Sequence, residues 1–117
     1  MQLRHIVSLL TCEILSGEDL LDLGIDCCFA ADLMSDVLAS APNGALLITG
    51  LASSQMVHTA EVADLAAIVL VAGKRPENEA LAFARQRKLP LLLTGLSMFE
   101  ACSLLSQHGL RGAVRKE

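Results

Sequence analysis

Three apolar runs, each closed by a small-residue corner, set the pattern of the chain. Residues 45–48 run into Thr49 and Gly50, residues 67–72 into Gly73, and residues 91–93 into Thr94 and Gly95. None of them alternates apolar with polar positions, as expected for strands buried on both faces of a parallel sheet. A helical period lies between them. Leu33, Met34, Val37, Leu38 and Ala41 mark one face, with Asp32 placed before them as an N-cap. Pro42 and the turn pair Asn43-Gly44 stop that helix and release the first run.

A second helix is predicted over residues 55–64, capped by Ser53 or Ser54, with Met56, Val57, Ala60 and Ala63 inward. A third opens at Pro76, where a missing N–H costs nothing, and packs through Leu81, Phe83 and Ala84. Its acidic first turn (Glu77, Glu79) and basic last turn (Arg85, Arg87, Lys88) complement the helix dipole. The segment Ser97-Met98-Phe99-Glu100 has the form of a capping box and starts a last helix facing inward through Met98, Cys102 and Leu105, with Gly109 as terminator.

The first 30 residues are less regular. Leu3, Ile6, Val7 and Leu10 form one stripe of a short helix. Residues 11–15 fit helix or strand; the alternation of Cys12 and Ile14 favours a short extended piece, and residues 25–30 read as another strand. Residues 111–117 read as a polar tail. Strand and helix then alternate three times, the grammar of crossovers in a parallel sheet. The expected fold is α/β, a mainly parallel sheet flanked by helices, in one compact domain over residues 1–117 with residues 110–117 as a flexible tail.

Ligands of such sheets bind outside the carboxyl ends of the strands, where helix N-termini present free N–H groups. The residues expected at that edge are Thr49, Gly50, Ser53, Gly73, Lys74, Arg75, Thr94, Gly95 and Ser97. Glycines, hydroxyls and two cations together suit an anionic group. Each also has a plain structural use as a turn or cap residue, and only their convergence points to binding. Lys74 and Arg75, the cations of this edge, are where an anion is expected first. Neither a P-loop nor a dinucleotide fingerprint is present.

Composition narrows the classes. Of 117 residues, 53 % are hydrophobic and 19 % charged, a high apolar fraction for one small domain, so a homo-oligomer, most simply a dimer, is expected. The apolar runs fall far short of the roughly 20 residues of a membrane helix. No apolar leader with a cleavage site opens the chain, so a cytoplasmic protein is expected. A net charge of −4 without Trp or Tyr argues against nucleic acid.

No catalytic constellation stands out, and none is expected. Asp32 and Asp36 lie one helical turn apart, but a cap and a surface charge account for them. His5, His58 and His108 lack ligand spacing with Cys or His. Cys12, Cys27, Cys28 and Cys102 form no C-x-x-C motif, and adjacent Cys27 and Cys28 in a strand face opposite ways. Buried free thiols are the expectation and a metal or cluster site the alternative; the cofactor is unknown.

In order and spacing, several segments resemble the small stand-alone DRTGG-domain proteins. They are Ala31-Asp32-Leu33-Met34-Ser35-Asp36-Val37, Leu47-Ile48-Thr49, Asp64-Leu65-Ala66-Ala67-Ile68-Val69, Gly73-Lys74-Arg75-Pro76 and Thr94-Gly95-Leu96-Ser97-Met98-Phe99-Glu100. The five letters that name the domain are absent, and Ser53 and Gln55 stand where the family usually has His and Asn. The resemblance implies a regulatory or ligand-binding module and no enzyme. Similar domains occur in long phosphotransacetylases and in pyrophosphatases with CBS pairs, and the fold is similar to the N-terminal domain of HPr kinase. A related fold in the Mur ligases holds a uridine nucleotide, which makes an anionic metabolite or nucleotide the implied ligand. Stand-alone members are often encoded near iron hydrogenase components, so the other expectation is a homodimeric protein-interaction or adaptor subunit with no small ligand, with a redox-linked partner left open.

Overall fold

The computed structural model describes residues 1–113, in which a six-stranded sheet is sandwiched between helices. The chain opens with α1 (Leu3–Leu10) and β1 (Glu13–Ser16), then β2 (Cys27–Ala30) and α2 (Met34–Ser40). The crossover units follow as β3 (Leu46–Thr49), α3 (Ser54–Val62), β4 (Ala67–Leu70), α4 (Asn78–Gln86) and β5 (Leu91–Leu93). α5 (Met98–Gln107) and β6 (Arg111–Gly112) close the described part.

Strands lie in the order β1-β5-β4-β3-β2-β6. All neighbours are parallel except β1, which runs antiparallel to β5 with a register shift between Ile14 and Ser16. Every residue of β3, β4 and β5 is buried, which explains the absence of alternation in their sequences. One core lies between the sheet and α2, α3 and α4, around Leu47, Ile68, Leu91, Val37 and Met56. The other lies between the sheet and α1 and α5, around Ile48, Val69, Leu92, Ile6 and Leu105. Cys27 packs on the first core and Cys28 belongs to the second, as pleating requires of adjacent strand residues.

Boundaries shift in places for physical reasons. Residues 11–15 resolve as a left-handed Thr11 (φ 52°) ending α1 and then β1, whose pairing with β5 decides between helix and strand. α4 starts at Asn78, so Pro76 stands ahead of the helix and not at its first position. Arg111 and Gly112 pair in parallel with Cys27 and Cys28, and Ala113 N–H donates to Cys28 O at 2.7 Å, where the sequence reads as polar tail. The backbone of β2 offers an unpaired edge there, and three residues suffice to use it. The remainder of that expected tail, residues 114–117, lies outside the described residues.

The link from β1 to the body of the sheet depends on Gly17. Its φ is +92°, and a Cβ there would stand 2.8 Å from Pro90 Cα, the residue before β5. Gly17→Ala is expected to destabilise the fold by about 2 kcal/mol or more, from left-handed strain plus overpacking. Urea midpoints of the two proteins check it, and an unchanged midpoint contradicts it.

Candidate functional site

The carboxyl ends of β2, β3, β4 and β5 share one edge because those strands are parallel neighbours. At the end of β3, Thr49 is fully buried and Gly50 leads the chain into the open. At the end of β4 the chain makes a tight corner with Ala72 (φ 58°) and Gly73 (φ 66°) both left-handed, closed by Lys74 N–H donating to Val71 O at 3.2 Å. This corner is joined to the end of β5 by two bonds, Ala72 N–H to Leu96 O (2.7 Å) and Gly73 N–H to Thr94 O (2.9 Å). It is joined to the loop after β3 by Glu77 N–H to Ala52 O at 3.0 Å. Three strand ends are thus joined at one edge, with Thr49 and Thr94 buried beneath it.

The residue that organises this surface is one the sequence places elsewhere. Asp32 does not cap α2: the N-cap position belongs to Leu33, in extended conformation and without a side-chain cap bond. Two residues beyond β2, the Asp32 carboxylate instead accepts from Gly50 N–H at 2.7 Å and from the Thr49 hydroxyl at 3.3 Å, both through Oδ1. Gly50 lies beside both charged groups at ordinary contact range. A Cβ there would lie 3.4 Å and 3.8 Å from the Asp32 oxygens and 3.7 Å from Lys74 Nζ.

Most other donors on the edge are spent within the protein. Thr49 and Thr94 play matching parts, each accepting at 3.2 Å from the N–H two residues on, Leu51 and Leu96. The Thr94 hydroxyl donates to Leu10 O at 2.6 Å and so fastens the end of α1 to the end of β5. Ser97 accepts from Glu100 N–H at 3.2 Å while Glu100 accepts from Ser97 N–H at 3.1 Å, which is the capping box read from the sequence. Arg75 makes a two-pronged pair with Glu13 of β1, at 3.0 Å and 2.9 Å. That pairing takes one of the two expected cations; its guanidinium, bonded to Glu13, holds that carboxyl below its usual range.

Three expected residues keep free chemistry. Lys74 is exposed and forms no ion pair within 4 Å among the described residues, Gly95 has open space where a Cβ would stand, and Ser53 occupies the N-cap position of α3 without bonding into the helix. The unspent polar groups are therefore Asp32 Oδ2 and Lys74 Nζ beside Gly50, and the Ser53 hydroxyl at the start of α3. Asp32 was legible only as a polar residue ahead of a helical face. Its position just past an apolar strand, at the edge where β3 ends, is the signal that could have found it.

Two clefts are lined by other residues. One of about 500 Å³ opens at the opposite, amino edge between α1 and α5, beside His5, Asp26 and His108. Another of about 270 Å³ lies between α3 and α4, where the His58 ring sits 4.4 Å from that of Phe83 and Arg87 lies 5.3 Å above the same phenyl. All four cysteines are free thiols. Burial pushes Cys12 up to about 12 and Cys28 up to about 11, the latter with help from Cys102 and Cys27, and it raises Cys102 as well. Those three are protonated at neutral pH, and no cluster of three or more potential metal ligands occurs among the described residues.

A mostly parallel sheet covered by helices on both faces defines a domain of α/β class. The chain belongs to the DRTGG domain family, whose model matches residues 5–108. Among solved structures it is similar to the CBS and DRTGG domains of the regulatory region of Clostridium perfringens pyrophosphatase, complexed with the activator diadenosine tetraphosphate. The TM-score is 0.74 at 16 % identity, over 91 % of this chain and 46 % of that one, so the likeness concerns the fold and this chain spans less than half of that structure. No curated protein matches the chain.

The capping box gives α5 a pH-dependent start. Hydrogen bonding from Ser97 N–H, then from the Ser97 side chain, lowers the Glu100 pKa from its ordinary 4.5. A lowered folded value means stabilisation that is present above pH 4.5 and is lost as pH falls through the folded value. Glu100→Gln is accordingly expected to lower the melting temperature at pH 7, with the gap to wild type closing below pH 4. A gap that persists unchanged at pH 3 contradicts the assignment.

Proposed function

We propose that the chain is a non-catalytic, ligand-sensing regulatory module that receives an anionic metabolite or nucleotide at the carboxyl edge of its parallel strands. The observation that carries this reading is an uncommitted ammonium at the joined ends of β3 and β4. Lys74, from the left-handed corner after β4, places Nζ 3.7 Å from the Cβ position of Gly50 after β3, and α3 begins at Ser53 without a side-chain cap bond. Lys74 supplies the charge, and Ser53 with the first N–H groups of α3 supplies donors. Thr94, Gly95 and Ser97 shape the neighbouring wall, and Arg75 steadies the corner through β1. The DRTGG domain of the similar pyrophosphatase lies within a regulatory region, which agrees with a sensing role.

A panel of inorganic phosphate, sugar phosphates and nucleotides in a thermal-shift assay tests the reading. At least one member is expected to raise the melting temperature in a concentration-dependent way, as ligand binding to the folded state must. Lys74→Ala is expected to weaken that ligand about 5- to 30-fold, the equivalent of one charge-assisted contact of roughly 1–2 kcal/mol. No stabilisation by any member, or an affinity indifferent to Lys74, would sink the proposal.

A second reading, a homodimeric adaptor without a small ligand, draws on large apolar side chains left to solvent. Leu33 is 61 % exposed, Val62 74 % and Phe99 82 %. Sedimentation at micromolar concentration should then show a dimer, and a redox-linked protein is a partner of the kind the family's setting suggests. A monomer removes the dimer.

A further inference from the structure

The edge carries a negative group where a purely anionic ligand would have to come. Asp32 Oδ1 is spent on Gly50 N–H and the Thr49 hydroxyl, but Oδ2 has no hydrogen-bond partner among the described residues. That free oxygen and Lys74 Nζ lie 3.8 Å and 3.7 Å from the same empty point, the missing Cβ of Gly50. With Arg75 neutralised by Glu13, the spot beside Gly50 holds one carboxylate and one ammonium. A bare phosphate gains from the ammonium and loses to the carboxylate at similar range. A ligand that offers hydroxyl donors to the carboxylate and a single anionic group to the ammonium satisfies both, and each charge-assisted bond is stronger than a neutral one.

We infer that Asp32 is the specificity-determining residue of this edge and that the site takes a sugar phosphate, with sugar hydroxyls on Asp32 Oδ2 and the phosphate on Lys74. This rests on the anion-binding reading above and names the ligand class for it. The arrangement also explains why Asp32 is anchored. Fixing Oδ1 on a backbone N–H holds Oδ2 in place, so little side-chain freedom is lost when a hydroxyl binds.

Asp32→Asn is a clean probe because its amide oxygen still accepts from Gly50 N–H, while the amide nitrogen replaces the free oxygen and cannot accept. Titration calorimetry with ribose 5-phosphate and with inorganic phosphate, on wild type and on Asp32→Asn, makes the test, with equal melting temperatures confirming that the variant is folded. Wild type is expected to bind ribose 5-phosphate at least tenfold tighter than phosphate. In Asp32→Asn that ratio should fall to about one, with phosphate affinity equal or higher because the repelling charge is gone. If phosphate binds but the sugar phosphate binds no tighter, or if the variant keeps the preference, the inference is overturned and the anion site stands. If neither probe binds wild type, this inference falls, and the anion-binding reading is decided by the thermal-shift panel.

Discussion

Both faces of β3, β4 and β5 are covered, and this constraint governs where the molecule can hold polar chemistry. Backbone groups inside the sheet are paired along the ladder, and side chains above and below it are apolar. Polar groups are pushed to the ends of the strands, where the ladder stops and N–H groups still need acceptors. The carboxyl edge answers that need with its own side chains. Thr49 and Thr94 hydroxyls take the N–H groups two residues on, Ser97 and Glu100 close the start of α5, and Asp32 takes Gly50. No buried side-chain polar atom among the described residues is left without a partner.

This economy bears directly on function. An edge that satisfies most of its donors internally leaves few polar groups free. Among the described residues these include the Ser53 hydroxyl, Lys74 and one oxygen of Asp32, and the proposed ligand is matched to them. The joined loops that carry them are tied to each other and to α1 by bonds that cross the sheet end.

The layered fold was legible because burial leaves a direct mark on the sequence: unbroken apolar runs at residues 45–48, 67–72 and 91–93, and a period of 3.6 between them. The Ser97 capping box was legible for a similar reason, since its partners lie three residues apart. What could not be read are interactions between residues far apart in the chain. Asp32 meets Gly50 across 18 positions, and Arg75 meets Glu13 across 62. Local propensity made Asp32 a cap and Arg75 a free cation, and tertiary pairing reassigned both. Pairing with the open edge of β2 likewise makes Arg111 and Gly112 a strand that their polar composition does not suggest.

The account turns on Asp32 holding the Gly50 N–H, and amide NMR of wild type and Asp32→Ala measures this contact most directly. A charge-assisted bond at 2.7 Å predicts that the Gly50 amide proton moves upfield and exchanges faster with solvent in the variant. The Leu96 amide, held by the Thr94 hydroxyl, should stay where it is. A Gly50 amide that neither shifts nor loses protection when Asp32 is removed would contradict the account.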